Sequence, residues 1–300
     1  MRRWKAQITF RLWLAAALMV VATLGAIFFF VRIATVLARA PEQWPINLGI
    51  YLQLLAGLAL LLVAGMVAYR LAAALTLGYG VDRNGFYIFW VGNRAVIPLS
   101  QIESIDVGAA LVEKGARLSQ SVAYYYGRTQ ISEGRLAERF STLPTAQSLI
   151  LHTPGLSYVI SPDNRDTFVQ ELEQRRRLGA IQQLIPGVDA GRTFFYAFWN
   201  DLVVRRALLI AIALGLGLLG WLAAIYPGLP TMIDLRTDAA GMAAALRPRH
   251  QILFLPLAAN AILLINAGFG LSLYGRTPAG ARMLQIASAF MQILFAVAIL

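Results

Sequence analysis

The stretch YGVDRNGFYIFWVGNRAVIPLSQIESI, residues 79–105, decides the fold class, because its short period-two runs and tight turns read as strands inside an otherwise apolar, helical chain. Residues 79–81 lead into Asp82-Arg83-Asn84-Gly85, whose Asn-Gly pair suits a tight hairpin, and 86–91 return. Gly92-Asn93 turns the chain into a third strand at 94–97, and Pro98-Leu99-Ser100-Gln101 into a fourth at 102–107. Further out, 148–152 and 156–160 face each other across Thr153-Pro154-Gly155 as another hairpin. Ser161-Pro162-Asp163 then predicts a helix start, with Ser as N-cap, Pro at the first helical position and an acid near the positive dipole end. Phe168, Val169 and Leu172 form its apolar stripe, and Arg175, Arg176 and Arg177 complement its carboxyl end. Antiparallel strands followed by one closing helix predict a small α+β domain over 75–180, a partly open β-barrel capped by its C-terminal helix.

The rest of the chain has a different solvent. Its 300 residues are 58% hydrophobic and only 14% charged, with a mean hydropathy of +0.63, where soluble domains carry about 25% charged residues. Such a chain cannot hide its apolar surface in a globule. Residues 12–31, between Arg11 and Arg32, give a first uncharged run that at 1.5 Å per residue matches a hydrocarbon layer of roughly 30 Å. A signal peptide is the rival, with Arg2, Arg3 and Lys5 ahead and Ala38-Arg39-Ala40 as a cleavage site. Signal peptides have apolar cores of only about 7–15 residues, so a retained anchor is expected. Further runs between Glu42 and Arg70, from 207 to 225, from 251 to 274 and from 283 to 300 complete about five spans. The organisation expected is two spans in 1–74, the β-rich domain in 75–180, a linker with an interfacial aromatic helix in 181–206, and three spans in 207–300. That interfacial helix is Phe194-Phe195-Tyr196-Ala197-Phe198-Trp199, since aromatic rings favour the headgroup level.

The net charge of +11 points to cytoplasmic flanks and anionic headgroups rather than nucleic acid. Arg2, Arg3, Lys5 and Arg11 precede the first span, and Arg205, Arg206, Arg276 and Arg282 fall on the same side of the later ones. The amino end and the β-rich domain are therefore expected in the cytoplasm and the carboxyl end outside, against Arg32, Arg39, Arg236, Arg247 and Arg249 on the other side. With no cysteine, disulfides, thiolate nucleophiles and zinc–thiolate sites are excluded.

Two quoted segments carry a resemblance. The order of residues 79–105, followed by GRLAERFSTLPTAQSLILHTPGLSYVISPDNRDTFVQELEQ, resembles the bacterial PH domain family of membrane proteins, in which a strand ending in Ile-Ser-Pro leads into a helix of Phe-Val and Leu spacing. Its most specific parts here are Ile97-Pro98-Leu99 through Ile105, and Ile160-Ser161-Pro162 through Leu172. The tail YPGLPTMIDLRTDAAGMAAALRPRHQILFLPL is similar to an uncharacterised bacterial membrane domain that often accompanies it. The resemblance implies a cytoplasmic PH-like barrel tethered by spans, with no catalytic activity and no cofactor attached to the fold. Eukaryotic relatives bind phosphoinositides through several basic residues between the first two strands; the corresponding turn here offers only Arg83, so phosphoinositide recognition is not expected.

Other motifs have plainer uses. Gly215-Leu216-Gly217-Leu218-Leu219-Gly220 spells a dinucleotide fingerprint, but inside an apolar span its small residues serve close helix packing, and Gly57 and Gly65 are candidates for the same role. His152 and His250 are far apart in sequence, without a carboxylate cluster from which to build a metal site or a Ser-His-Asp relay. Asp234 and Asp238 share a loop but lack further oxygen ligands for a cation. Asn260 and Asn266 are polar but uncharged within the fourth span, which argues against a coupled transporter. The long segment from Ala109 to Glu133 interrupts the barrel, and its Tyr124, Tyr125, Tyr126 and Arg128 are the candidate partner-binding residues. The function expected is a non-enzymatic, membrane-tethered interaction or scaffolding module that engages another membrane or cytoplasmic protein, or the headgroup region. The alternative is a small-solute transporter or channel component built by the five spans.

Overall fold

The computed structural model describes residues 1–108, 125–131, 135–179, 181–182, 184–189, 193–234 and 246–299. They fall into two units, residues 1–24 with 60–191, and residues 25–59 with 192–300.

The first unit is the β-rich domain with the adjoining halves of two long helices. Its first sheet orders β1 (Arg2–Lys5), β2 (Gly78–Val81), β3 (Gly85–Trp90), β4 (Asn93–Pro98) and β10 (Gly187–Asp189) as β1-β2-β3-β4-β10. The second orders β5 (Ser104–Val107), β6 (Tyr125–Gln130), β7 (Leu136–Ser141), β8 (Leu149–His152) and β9 (Ser157–Ile160) as β5-β8-β9-β7-β6. All pairings are antiparallel except β7 with β9. Both sheets contribute to one core, in which Tyr79, Phe86 and Ile88 from the first meet Phe140, Leu151 and Ile160 from the second. Helix α3 (Arg165–Leu178) closes it with Phe168 and Leu172, both fully buried. The expected α+β fold is thus present, with more strands than the sequence pattern announced.

Three differences have physical causes. The cationic amino end is a strand: β1 pairs with β2, Trp4 packs edge-on against Phe168 at 5.3 Å, and Arg2 reaches Glu171 of α3 at 3.0 Å. The continuing chain stays bonded, Gln7 N–H donating to Ser161 O and Ala6 bridging Pro162. Because that bridge occupies Pro162, α3 starts later than its sequence signal. Asn164 is the N-cap, its Oδ1 accepting from Thr167 N–H, while Ser161 is buried. The Ser161 hydroxyl accepts from Thr142 N–H, and its own N–H donates to the Tyr79 hydroxyl, which donates to Phe140 O at 2.7 Å. Finally, residues 125–130, expected within a loop, form β6.

Among the described residues, five helices are long and apolar enough to cross a membrane: α1 (Phe10–Leu37), α2 (Leu48–Thr76), α5 (Leu202–Ile225), α6 (Phe254–Tyr274) and α7 (Pro278–Ile299), the third and fourth extended by short 3-10 turns. The protein is a multi-pass membrane protein with one small α+β domain. Its helices run past the charges that bounded the expected spans, taking in Arg11, Arg32, Arg70 and Arg282. Long cationic side chains near helix ends can reach the headgroups from within a helix.

In the second unit, Asp201 gathers three helices. It caps α5 through Val203 and Val204 N–H, and its Oδ2 accepts from the Tyr274 hydroxyl of α6 at 2.8 Å and from Arg282 Nε of α7 at 2.7 Å. The glycine motif works as packing at two of its three positions: a Cβ at Gly215 would lie 2.5 Å from Asn260 Oδ1, and one at Gly220 2.7 Å from the Tyr51 ring, while Gly217 meets nothing. A Cβ at Gly57 would likewise approach Phe30, whereas Gly65 is open. The aromatic segment forms α4 (Thr193–Asn200), with Phe198 buried against Tyr274 and Trp199 exposed. His250 is buried beside Phe254.

Candidate interaction surface

Of the four residues singled out in the sequence, Tyr124 lies outside the described residues, as does Asp238 of the cation candidate, and Tyr125, Tyr126 and Arg128 belong to β6. In the register of the antiparallel β6–β7 pair, Tyr126 stands opposite Phe140 and Arg128 opposite Glu138, so both point to the core-facing side of sheet two. Tyr126 lies where that side opens: its ring meets Phe140 at 5.6 Å and Trp90 at 6.2 Å, yet it remains 46% exposed. Arg128 is exposed.

A polar row continues inward from Arg128. Glu138 faces Tyr158 on the parallel neighbour β9. Burial pushes the Glu138 carboxyl above its ordinary range, with the Arg128 charge pulling the other way. Burial, then the Glu138 charge, push the Tyr158 phenol up, and Arg128 again opposes. Arg128 is therefore the countercharge of a half-buried acid at the barrel mouth as well as a surface cation.

Among the described residues, the hydrogen-bonded neighbour of β6 is β7 alone, which leaves β6 as an edge strand of sheet two. An edge offers unpaired backbone donors and acceptors to an extended partner segment, and alternate side chains supply selectivity. Gly127, at φ +107, sits in the middle of this edge in a conformation that other residues rarely adopt.

A second constellation escaped sequence reading. His152 Nδ1 lies 3.0 Å from Ser157 Oγ, and His152 Nε2 lies 3.1 Å from Asp106 Oδ2, an Asp-His-Ser order assembled because β5 and β9 both flank β8. The signal was available only through strand pairing, since Ser104 lies opposite His152 in the β5–β8 register and Asp106 diagonally beyond. Its exposure is the reverse of what acyl transfer requires. The Ser157 nucleophile would be 2% exposed and the orienting Asp106 carboxylate 58% exposed. The three residues instead satisfy one another's polar groups where three strands end.

In the spans, Asn266 Nδ2 donates to Ser288 Oγ at 3.0 Å, and Gln285 Nε2 to Asn266 O at 2.9 Å, both across the α6–α7 seam. Gln285, Ser288 and Gln292 are fully buried, and the Gln292 amide has no partner. Asn260 bonds instead within its own helix, to Pro256 O. A cleft lined by Trp44, Ile46, Tyr51, Leu222, Leu253 and Leu257 is apolar.

Comparison with known proteins matches residues 77–176 to the family model of the bacterial PH domain, which covers strands β2 to β9 and most of α3. No curated protein and no solved structure matches the chain.

Proposed function

We propose that this protein is a membrane-tethered, non-enzymatic interaction module whose bacterial PH-like domain, held on the cytoplasmic side, takes an extended segment of another membrane or cytoplasmic protein along β6. The observation that carries it is the position of β6 at the edge of sheet two among the described residues, with an exposed tyrosine anchored on core aromatics and an exposed arginine two residues on. Tyrosine and arginine are the side chains that most often dominate protein interfaces, because each gives large contact area together with directional polar contacts. Backbone pairing would supply affinity, and the Tyr126 ring and the charge of Arg128 would supply selectivity.

The test compares affinity purification from native membranes in mild detergent for the intact chain and for Tyr126→Ala combined with Arg128→Glu. A protein recovered with the intact chain and depleted about tenfold or more with the variant, as loss of two central interface residues predicts, supports the reading. Equal recovery in both removes β6 as the surface.

The buried amides of the α6–α7 seam favour a second reading, a solute path through the spans. The seam carries amide and hydroxyl groups rather than the ionisable side chains that usually mark coupled transport. Solute flux in liposomes that is abolished by Gln292→Leu would establish that reading instead.

A further inference from the structure

The register of sheet one brings several chain connections to a single row. Lys5, Gly78, Phe89, Arg94 and Asp189 stand side by side across β1, β2, β3, β4 and β10. Lys5 is five residues from the start of α1 at Phe10, and Gly78 is two residues beyond the end of α2 at Thr76. This row is therefore the end of the sheet that meets the bilayer. The β3–β4 turn projects beyond it, and the Val91 N–H donates to Thr76 Oγ1 at 2.9 Å, which pins the turn on the last residue of a membrane-crossing helix.

The turn is built at a cost. Val91 is the one non-glycine residue with positive φ among those described, at +43°, followed by Gly92 at +77°. For a β-branched residue this conformation is strained. Strained backbone persists where the surroundings hold it, and here the Thr76 bond and packing of Val91 against the core do so. The side chains that leave the same face of the sheet are cationic and aromatic. Arg3 lies over the Phe89 ring at 4.9 Å, Arg94 over Tyr87 at 5.7 Å, and Lys5 is exposed beside Gly78, whose missing side chain keeps the face low. Asp82 hydrogen-bonds Tyr87 on this face, the Asp163 N–H bonds Lys5 O at its border, and the backbone of Asp189 pairs with that of Arg94.

We infer that this rim, Arg3, Lys5 and Arg94 around Phe89 and the Val91 turn, is a docking surface for anionic phospholipid headgroups of the membrane in which the chain is embedded. Lys5 and Arg94 lie three strand spacings apart, about 14 Å, so they engage separate headgroups rather than one multiply charged one. Phe89 between them sits at the interfacial depth that aromatic rings favour. This surface lies on sheet one, on different strands from β6, and stands or falls independently of the β6 edge.

The chain has no cysteine, so a single introduced one can be labelled cleanly. Val91→Cys and, at the opposite end of the β2–β3 hairpin, Arg83→Cys are each labelled with a polarity-sensitive fluorophore and placed, as the full chain, in nanodiscs of phosphatidylcholine with increasing phosphatidylglycerol. The label at 91 is expected to shift to the blue as phosphatidylglycerol rises, and the label at 83 to stay unchanged. Adding Lys5→Gln and Arg94→Gln raises the phosphatidylglycerol fraction needed for half the shift by about fivefold per cation removed, the equivalent of about 1 kcal/mol for each basic residue near an anionic surface. Phospholipid analysis of unlabelled protein after mild detergent extraction gives a second readout, less phosphatidylglycerol being retained by the double variant. A label at 91 that ignores lipid charge, an unchanged response in the double variant, or the same shift from inorganic phosphate in neutral discs would each overturn the assignment.

Discussion

At the scale of single residues, the polar groups of the domain pull its stability in opposite directions with pH. Glu138 is half-buried, and burial raises its carboxyl above the ordinary 4.5 despite Arg128. The folded state therefore holds the Glu138 proton more tightly than the unfolded chain does. Its stabilisation is complete below the unfolded value and is lost as pH rises through the raised folded value. Glu171 works the other way: the hydrogen bond from Arg175 at 2.7 Å, helped by Arg2, holds it below its ordinary value. Its contribution is present above that value and is lost as pH falls. Glu138→Gln removes the first contribution and leaves the second. The expected result is a variant more stable than wild type at about pH 7 and with less advantage at about pH 4, measured as thermal midpoints of the full chain in micelles by near-ultraviolet circular dichroism. An equal gain at both pH values would show that Glu138 is paired well enough to ionise freely.

At the scale of elements, β1 shows how a strand can be hidden in a charge pattern. Arg2, Arg3 and Lys5 read as a cationic flank of the first span, and alternation over four residues is too short to declare a strand. What makes it one is β2, whose edge it covers, and α3, against which Trp4 packs. Trp4→Ala is expected to cost the domain about 3–5 kcal/mol, as for other buried aromatic truncations, read as loss of amide protection across β1 and β2 by hydrogen exchange while α5 to α7 keep theirs. Protection unchanged in β2 would mean that β1 is an accessory rather than part of the fold. The two hairpins around Asn84-Gly85 and Pro154-Gly155 were legible because turn chemistry and alternation agree there, and the spans because twenty apolar residues have few other uses. Strands β6 and β7 were not, since Gly127 interrupts the alternation of the first and Leu136 to Ser141 mixes Glu138 and Arg139 into a strand buried from both sides. The candidate site was half legible for the same reason. Tyr126 and Arg128 stood out by composition, but their edge position, and the Asp106–His152–Ser157 contact, depend on pairings between segments far apart in sequence.

At the scale of the whole molecule, hydrogen bonding limits topology more tightly than charge counting does. The backbone groups of β1 pair with those of β2, so residues 2–5 and 78–81 must lie on one side of the membrane. Between them lie α1 and α2, each long enough to cross once, so on the proposed topology the short connection around Gln43 would lie on the other side. With the domain proposed on the cytoplasmic side, which the excess of arginine and lysine around the amino end and before α5 would favour, three further crossings would carry the carboxyl end outward. Single cysteines test each step separately in a chain that has none of its own. With a membrane-impermeant maleimide on intact cells, Gln43→Cys is expected to label and Arg83→Cys only after the membrane is opened. Labelling of both from outside would break the paired arrangement of α1 and α2 itself. Labelling of Arg83→Cys from outside with Gln43→Cys protected would keep the pairing and reverse the sidedness, leaving backbone geometry intact and the charge rule overruled by the arginines at 32, 39, 247 and 249.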